Sequence, residues 1–319
     1  MKIVFFGSPN LAVESLKKIL EAGYEVVAVV TAPDKPAGRG MKLKPTAVKE
    51  FAQDKGIPVL QPHNLKDEEF LEKLRAAGAD VFVVVAFRYL PKQVWSIPPL
   101  GTINLHTSYL PDYRGAAPIN WAVVNGETQT GVTTFYINDK LDTGNIILRK
   151  RVPIYPEDTA GDLHDRLMTQ GADLLVETLR LIESGKATPI PQADLEKEFN
   201  QLKTAPKLTQ ENTRIDWNNS AQAVYNFIRG MSPYPGAWTT LVDDEKGKKT
   251  PNVKIFRATA IEDNHNLPSG TIVTDKKTFF KVAVPDGFVE IKEIQLPGKK
   301  RLPIKEFLKG FKAGKAHFE

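Results

Sequence analysis

The 319-residue sequence contains no cysteine, so disulfides, zinc–thiolate sites and a cysteine nucleophile are excluded. Long apolar runs are missing as well. None approaches the roughly 18–20 residues that a membrane span requires. The opening stretch MKIVFFGSPN has neither an extended apolar core nor a small-residue cleavage site. No signal peptide is read there, and a cytoplasmic protein without membrane association is expected. Histidine is scarce, with only five in the chain, so a histidine in a chemically suggestive place carries weight.

What is present describes an ordinary globular composition, 41% hydrophobic and 25% charged. The length allows two domains at roughly 100–200 residues each. Charge is unevenly divided: residues 206–319 hold 19 basic and 13 acidic side chains, and residues 1–205 hold 24 and 25. Positive charge confined to the last third suggests a polyanionic partner. A solvated lysine-rich surface accounts for it equally well.

The first half alternates apolar strands with amphipathic helices. KIVFF, EVVAVVT and DVFVVVA read as strands, and NLAVESLKKILEAG, PTAVKEFAQDKG and KDEEFLEKLRAAG as helices. Strands that are apolar throughout imply a mostly parallel sheet covered on both faces, the doubly wound α/β arrangement. Ligands of such sheets bind beyond the carboxyl ends of the strands. Three features fall at such ends: Gly7-Ser8-Pro9, AFRYLP, and Asn104 with His106. The first lacks the second and third glycines of a dinucleotide fingerprint, which argues against an NAD site.

In TINLH, alternation aims Asn104 and His106 to one face, where a carboxamide and an imidazole offer two donors to a developing oxyanion. Further along, VTTFYINDKLDTGNIILRK reads as two strands joined by a polar turn carrying Asp139 and Asp142. A carboxylate brought to this site has three uses: to orient the imidazole, to hold it protonated, or to help remove a proton from an attacking amine. Taken singly, a strand-end histidine is ordinarily structural, and an aspartate before Thr-Gly is ordinarily turn chemistry.

Between Thr31 and Pro45, TAPDKPAGRGMKLKP is too long for a simple strand-to-helix connection, and Arg39, Lys42 and Lys44 within it suit phosphate contacts. PIPQADLEKEFNQLKTAPKL reads as a polar linker. Three parts follow: a catalytic domain over 1–189, a linker over 190–206, and a second domain over 207–319 made of one helix and several short strands, as in a small barrel. There, PGKKRLP supplies Lys299, Lys300 and Arg301, a basic cluster suited to nucleic acid or to a solvated turn.

NLHTSYLPDYRGAAPINWAVVNGE, with DTGNI downstream, resembles the folate-dependent formyltransferases. FFGSPNLAV, TAPDKPAGRGMKLKPTAVK and IRGMSPYPGAW strengthen the resemblance, which runs from Lys2 to about Gly310. It implies a Rossmann-like catalytic domain followed by an OB-like barrel. By the same resemblance, Asn104, His106 and Asp142 are the catalytic set, and no metal takes part. Ser108, Tyr109, Leu110 and Pro111, with Ala86, Phe87, Arg88, Tyr89 and Leu90, hold the folate. The formyl donor is 10-formyltetrahydrofolate, and the acceptor is the amine of initiator methionyl-tRNA. Arg39, Lys42, Lys44, Lys299, Lys300 and Arg301 then meet the tRNA, and the chain acts as a monomer. AFRYLP is one residue shorter than the family's A-Y-G-x-I-L-P pattern, and Asn145 stands where aspartate is frequent.

Overall fold

A computed structural model describes residues 1–37, 42–312 and 314–319. The chain forms two compact units, each drawn from separate stretches. The first comprises Met1–Gly115, Gln129–Pro153 and His164–Thr204; the second comprises Ala116–Thr128, Ile154–Leu163 and Ala205–Glu319.

In the first unit, the helices α1 (Asn10–Glu21), α2 (Ala47–Asp54) and α3 (Glu68–Ala76) alternate with β1 (Lys2–Gly7), β2 (Glu25–Val30), β5 (Val59–Leu60), β6 (Val81–Val85) and β7 (Thr102–His106). Two short strands, β3 (Lys35–Ala37) and β4 (Lys42–Lys44), lie between β2 and α2. After β8 (Arg114–Gly115), the strands β9 (Gln129–Tyr136) and β10 (Ile146–Pro153) complete a seven-stranded sheet in the order β10-β9-β7-β6-β1-β2-β5. From β7 to β5 every pairing is parallel, while β9 and β10 run antiparallel at one edge. The mostly parallel, doubly wound expectation is met.

The central strands are buried because they have helices over both faces and nothing polar to expose. Ile3, Val4, Phe5 and Phe6 of β1 are wholly buried, as are Val81, Phe82, Val83 and Val85 of β6. α1 turns Ala12, Leu16 and Ile19 inward at helical spacing. Gly7 ends β1 where a Cβ would lie 2.7 Å from the Cβ of Ala12 and 3.0 Å from the Val85 carbonyl. Only glycine lets the β1–α1 turn come so close to its neighbours. Thr46 caps α2 by accepting the Lys49 N–H at 3.1 Å.

The expected long loop after β2 contains a short antiparallel strand pair. Lys35 pairs with Lys44, Pro36 with Leu43 and Ala37 with Lys42. Strands of three residues are too short to leave a readable alternation among prolines and glycines, so the pairing was not visible in sequence.

The second unit is an antiparallel barrel with the helix Ala221–Gly230 packed on it. Its strands run in the order Ile272–Thr274, Phe280–Val284, Gly287–Gln295, Lys248–Glu262, Ala237–Asp243 and Ala316–Phe318. A bridge between Thr271 and His317 joins the two ends of that order and nearly closes the barrel. Phe280, Trp217 and Phe318 form its centre, with the last two rings stacked at 5.4 Å. This agrees with the small barrel expected of the last third.

Candidate active site

The sheet register brings three segments to one end of the first unit. β6 and β7 pair Val84 with Asn104 and Val85 with Leu105, so Ala86–Leu90 leaves β6 beside the end of β7. On the other side, β9 pairs Phe135 with Asn104 and Thr133 with His106. The turn from β9 to β10 carries Asp142.

Asn138 shapes that turn by accepting the Lys140 N–H at 2.9 Å and the Thr143 hydroxyl at 3.0 Å, an Asx turn. At Gly144 a Cβ would fall 1.6 Å from the Tyr136 carbonyl oxygen, so the loop closes over the strand end only with glycine there. Asp142 sits in the left-handed region at φ 53°, a conformation an aspartate tolerates but does not prefer. The aspartate is 7% exposed and His106 8%, while Asn104 is half-buried.

His106 Nε2 lies 3.0 Å from the Tyr113 carbonyl. A carbonyl only accepts, so Nε2 carries a proton. Nδ1 faces Asp142 Oδ2 at 3.9 Å, too long for a direct hydrogen bond. Two acceptors therefore flank the ring, one bonded to Nε2 and the other standing off Nδ1. The ring's Nε2–H is spent on the protein, and Nδ1 is the nitrogen left free to donate to a reacting group. Among the described residues the Asn104 carboxamide has no hydrogen-bond partner, which leaves its N–H groups available.

The Gly115 N–H donates to Asp142 Oδ2 at 3.1 Å. Behind the aspartate lies Gln192, the first residue of the short helix Gln192–Leu195 and only 3% exposed. Its amide nitrogen donates to the carbonyls of Asp142 at 2.8 Å and Gly144 at 2.9 Å. Its amide oxygen accepts from Arg114 Nε at 2.9 Å and Nη2 at 2.7 Å. Sequence reasoning missed both Gln192 and Arg114. Gln192 stands in a polar stretch that reads as a linker, and only the fold reveals its burial.

Of the nine folate residues named from resemblance, the structure gathers all at this strand end, but they present different groups. Ser108, Leu110 and Pro111 are buried. The Ser108 hydroxyl donates to the Asp112 carbonyl at 2.6 Å, and the Thr133 hydroxyl of β9 ties the loop by donating to the Ser108 carbonyl and accepting the Leu110 N–H. Tyr109 lies beneath two guanidinium groups, with Arg149 and Arg151 4.3 and 4.0 Å from its ring centre. In the other segment, Ala86 is left-handed at φ 48°, and Phe87 anchors edge-on against Phe6 at 5.7 Å. Leu90 is buried, while Arg88 and Tyr89 face outward. Arg88 donates to the carbonyls of Pro62 and His63, and Tyr89 donates to the Asp139 carbonyl at 3.3 Å. Partial burial pulls the Arg88 guanidinium below its usual value. It stays charged at ordinary pH.

Asp139 is exposed, and its carbonyl accepts the Tyr89 hydroxyl. The basic candidates fall in both units. Arg39 lies outside the described residues. Lys42 opens β4, and Lys44 ends it with an exposed side chain. In the second unit Lys299 and Lys300 are exposed, whereas Arg301 pairs with Glu293 and lies 4.2 Å over the Phe256 ring. Among the described residues no group of three or more His, Asp or Glu side chains is arranged to hold a metal ion, and no helix is long and apolar enough to cross a membrane.

A doubly wound sheet that ends in a carboxamide, an imidazole and a carboxylate, joined to a small barrel, matches one family along most of its length. The chain belongs to the formyl transferase family, whose model matches residues 1–179, with the formyl transferase C-terminal domain matching residues 207–312. The particular relatives are methionyl-tRNA formyltransferases. That of Parabacteroides distasonis is 51% identical over 98% of this chain and 96% of its own length, and that of Bacteroides thetaiotaomicron is 51% identical with the same shares. Among solved structures, the N-formyltransferase from Helicobacter canadensis, complexed with folinic acid and dTDP-3-aminofucose, has a TM-score of 0.64 at 22% identity. The likeness covers 95% of this chain and 100% of that one and shows a shared fold.

Proposed function

We propose that the chain transfers the formyl group of 10-formyltetrahydrofolate to the α-amino group of initiator methionyl-tRNA, acting as a cytoplasmic monomer. The reading is carried by one observation: a chain 51% identical, along almost its whole length, to methionyl-tRNA formyltransferases brings Asn104, His106 and Asp142 to one strand end.

The donor set suits such a reaction. An aminoacyl amine has a pKa of roughly 8, so a useful fraction is neutral at pH 7 and attacks the formyl carbon directly. The new C–N bond forms as the carbonyl becomes a tetrahedral oxyanion. The Asn104 N–H and His106 Nδ1–H donate to that oxygen, and one such donor is worth about 2.7–4 kcal/mol. Collapse breaks the bond to the folate nitrogen, and the proton lost by the amine ends on that nitrogen. Asp142 accepts the amine's proton on the way, through water.

The folate would lie along Ala86–Leu90, where left-handed Ala86 turns main-chain groups outward. Beside this segment is a concavity of about 610 Å³ lined by His63, Lys66, Arg88, Tyr89 and Lys92, with no carboxylate among the described residues of its wall. Cations without counter-charges suit the glutamate carboxylates of a folate. Lys42, Lys44, Lys299 and Lys300, with Arg39, would meet the tRNA phosphates. Arg301 is the weakest of these candidates because Glu293 already occupies it.

The test is to incubate the pure protein with 10-formyltetrahydrofolate and charged initiator tRNA, then release the amino acid with base. N-formylmethionine is the expected product. Formyl transfer only to a small amine, such as an amino sugar nucleotide, overturns the assignment.

A further inference from the structure

We infer that Gln192 is a positioning residue for the formyl transfer, a clamp that holds Asp142 and the segment opposite it in register with His106. The inference rests on the catalytic reading of Asp142 given above.

The Gln192 amide is buried, with both its nitrogen and its oxygen hydrogen-bonded. Both halves of the group grip the catalytic constellation, from opposite sides. The nitrogen spans the carbonyls of Asp142 and Gly144 at 2.8 and 2.9 Å, fixing the turn on which the carboxylate is mounted. The oxygen accepts two bonds from Arg114 at 2.9 and 2.7 Å. Arg114 lies between two residues that touch the site directly. Tyr113 presents its carbonyl to His106 Nε2 at 3.0 Å, and Gly115 donates its N–H to Asp142 Oδ2 at 3.1 Å. A single side chain therefore fixes the aspartate's backbone and, through Arg114, the two main-chain groups that hold the imidazole and the carboxylate. Glu196, one turn on from Gln192, adds a bond from Arg114 Nη2 at 3.3 Å.

The clamp has strain to oppose. Asp142 and Tyr113 are both left-handed, at φ 53° and 57°, conformations that persist for non-glycine residues only when the surroundings over-determine them. Nδ1 and Oδ2 stand 3.9 Å apart, so a drift of about 1 Å would carry the carboxylate away from the ring. Misplacement on that scale costs on the order of 10²-fold in rate.

Only glutamine fits the pattern of bonds. Leucine keeps the volume and loses all four bonds. Glutamate keeps the acceptor for Arg114 and loses the donors for the two carbonyls. Its protonated form regains one donor.

The test is a double-mutant cycle on the full chain, reading kcat, KM for each substrate and the pH dependence of kcat. Gln192→Leu is expected to lower kcat roughly 10²-fold, with both KM values within about twofold. In an Asp142→Asn background the same change is expected to cost less than about threefold, because the group it positions is already disabled. An equal loss in both backgrounds, or no loss in the parent chain, overturns the clamp. A fully active Asp142→Asn protein instead overturns the catalytic reading, whereas an inactive Asp142→Asn beside a fully active Gln192→Leu overturns the clamp alone. Gln192→Glu keeps the test open where leucine prevents folding. With Arg114 holding the new carboxylate ionised, both carbonyl donors are lost and kcat is expected to fall as in the leucine variant. A parental kcat in Gln192→Glu overturns the inference.

Discussion

Replacing Asn104 with alanine should separate catalysis from stability, because the structure gives the carboxamide nothing to hold. It is half-buried on β7 and has no hydrogen-bond partner among the described residues. Truncation breaks no bond in the folded protein and leaves no buried partner unsatisfied. The remaining cost is one strand position, within about 1 kcal/mol. In the transition state the same group faces a developing oxyanion, where losing one donor costs about 10²–10³ in kcat. His106→Ala offers the contrast. It removes the donor facing the Tyr113 carbonyl and the imidazole beside buried Asp142, so a stability loss of about 1–3 kcal/mol accompanies the catalytic one. Steady-state formylation at saturating substrates, paired with thermal unfolding of the same preparations, reads both effects. An Asn104→Ala protein that keeps kcat within about threefold, or that loses rate only in proportion to a fall in Tm, refutes the assignment of the free carboxamide to the oxyanion.

Other consequences are equally open to measurement. Gly144→Ala places a methyl group against the Tyr136 carbonyl and must displace the Asp142 turn, so kcat should fall on the order of 10²-fold; parental kinetics would show that the loop yields without moving its carboxylate. Hydrogen bonds from Lys49 and then Gln61 hold the Asp34 carboxyl below its usual value. That interaction stabilises the fold above the unfolded pKa of about 3.9 and is lost as pH falls through the lower folded value. The Tm gap between the parent chain and Asp34→Asn should therefore be complete at neutral pH and close in strong acid, and a gap that widens on acidification contradicts the sign. Lys299 and Lys300 are exposed with no ion-pair partner among the described residues, whereas Arg301 is engaged by Glu293. Alanine at Lys299 or Lys300 should raise KM for tRNA and lower the salt slope by roughly 0.9 for each phosphate no longer neutralised, and an unchanged slope would place the tRNA elsewhere.

Much of the fold was legible because burial and composition agree. KIVFF and DVFVVVA are apolar on both faces, and both lie in the middle of the sheet, where helices cover each side. The shared aspect of Asn104 and His106 was legible from the two-residue period of a strand. Asp142 was harder. Its distance from His106 depends on a turn shaped by Asn138 and Gly144, and only family resemblance preferred it to Asp139. The direction of each imidazole nitrogen was illegible, since it is set by a carbonyl seven residues away in a left-handed bend at Tyr113. Gln192 was illegible for a related reason. A polar residue among polar neighbours reads as exposed until the topology folds it beneath the β9–β10 turn. The pairing of β3 with β4 escaped because three-residue strands carry no measurable period.

The most direct measurement is single-turnover formylation of charged initiator tRNA, with enzyme and 10-formyltetrahydrofolate both in excess, comparing the parent chain with His106→Ala. The account predicts rapid transfer by the parent chain and a rate lower by at least about 10²-fold in the variant, since chemistry alone limits this assay. Equal rates would contradict it, because the imidazole between Tyr113 and Asp142 would then have no part in the reaction.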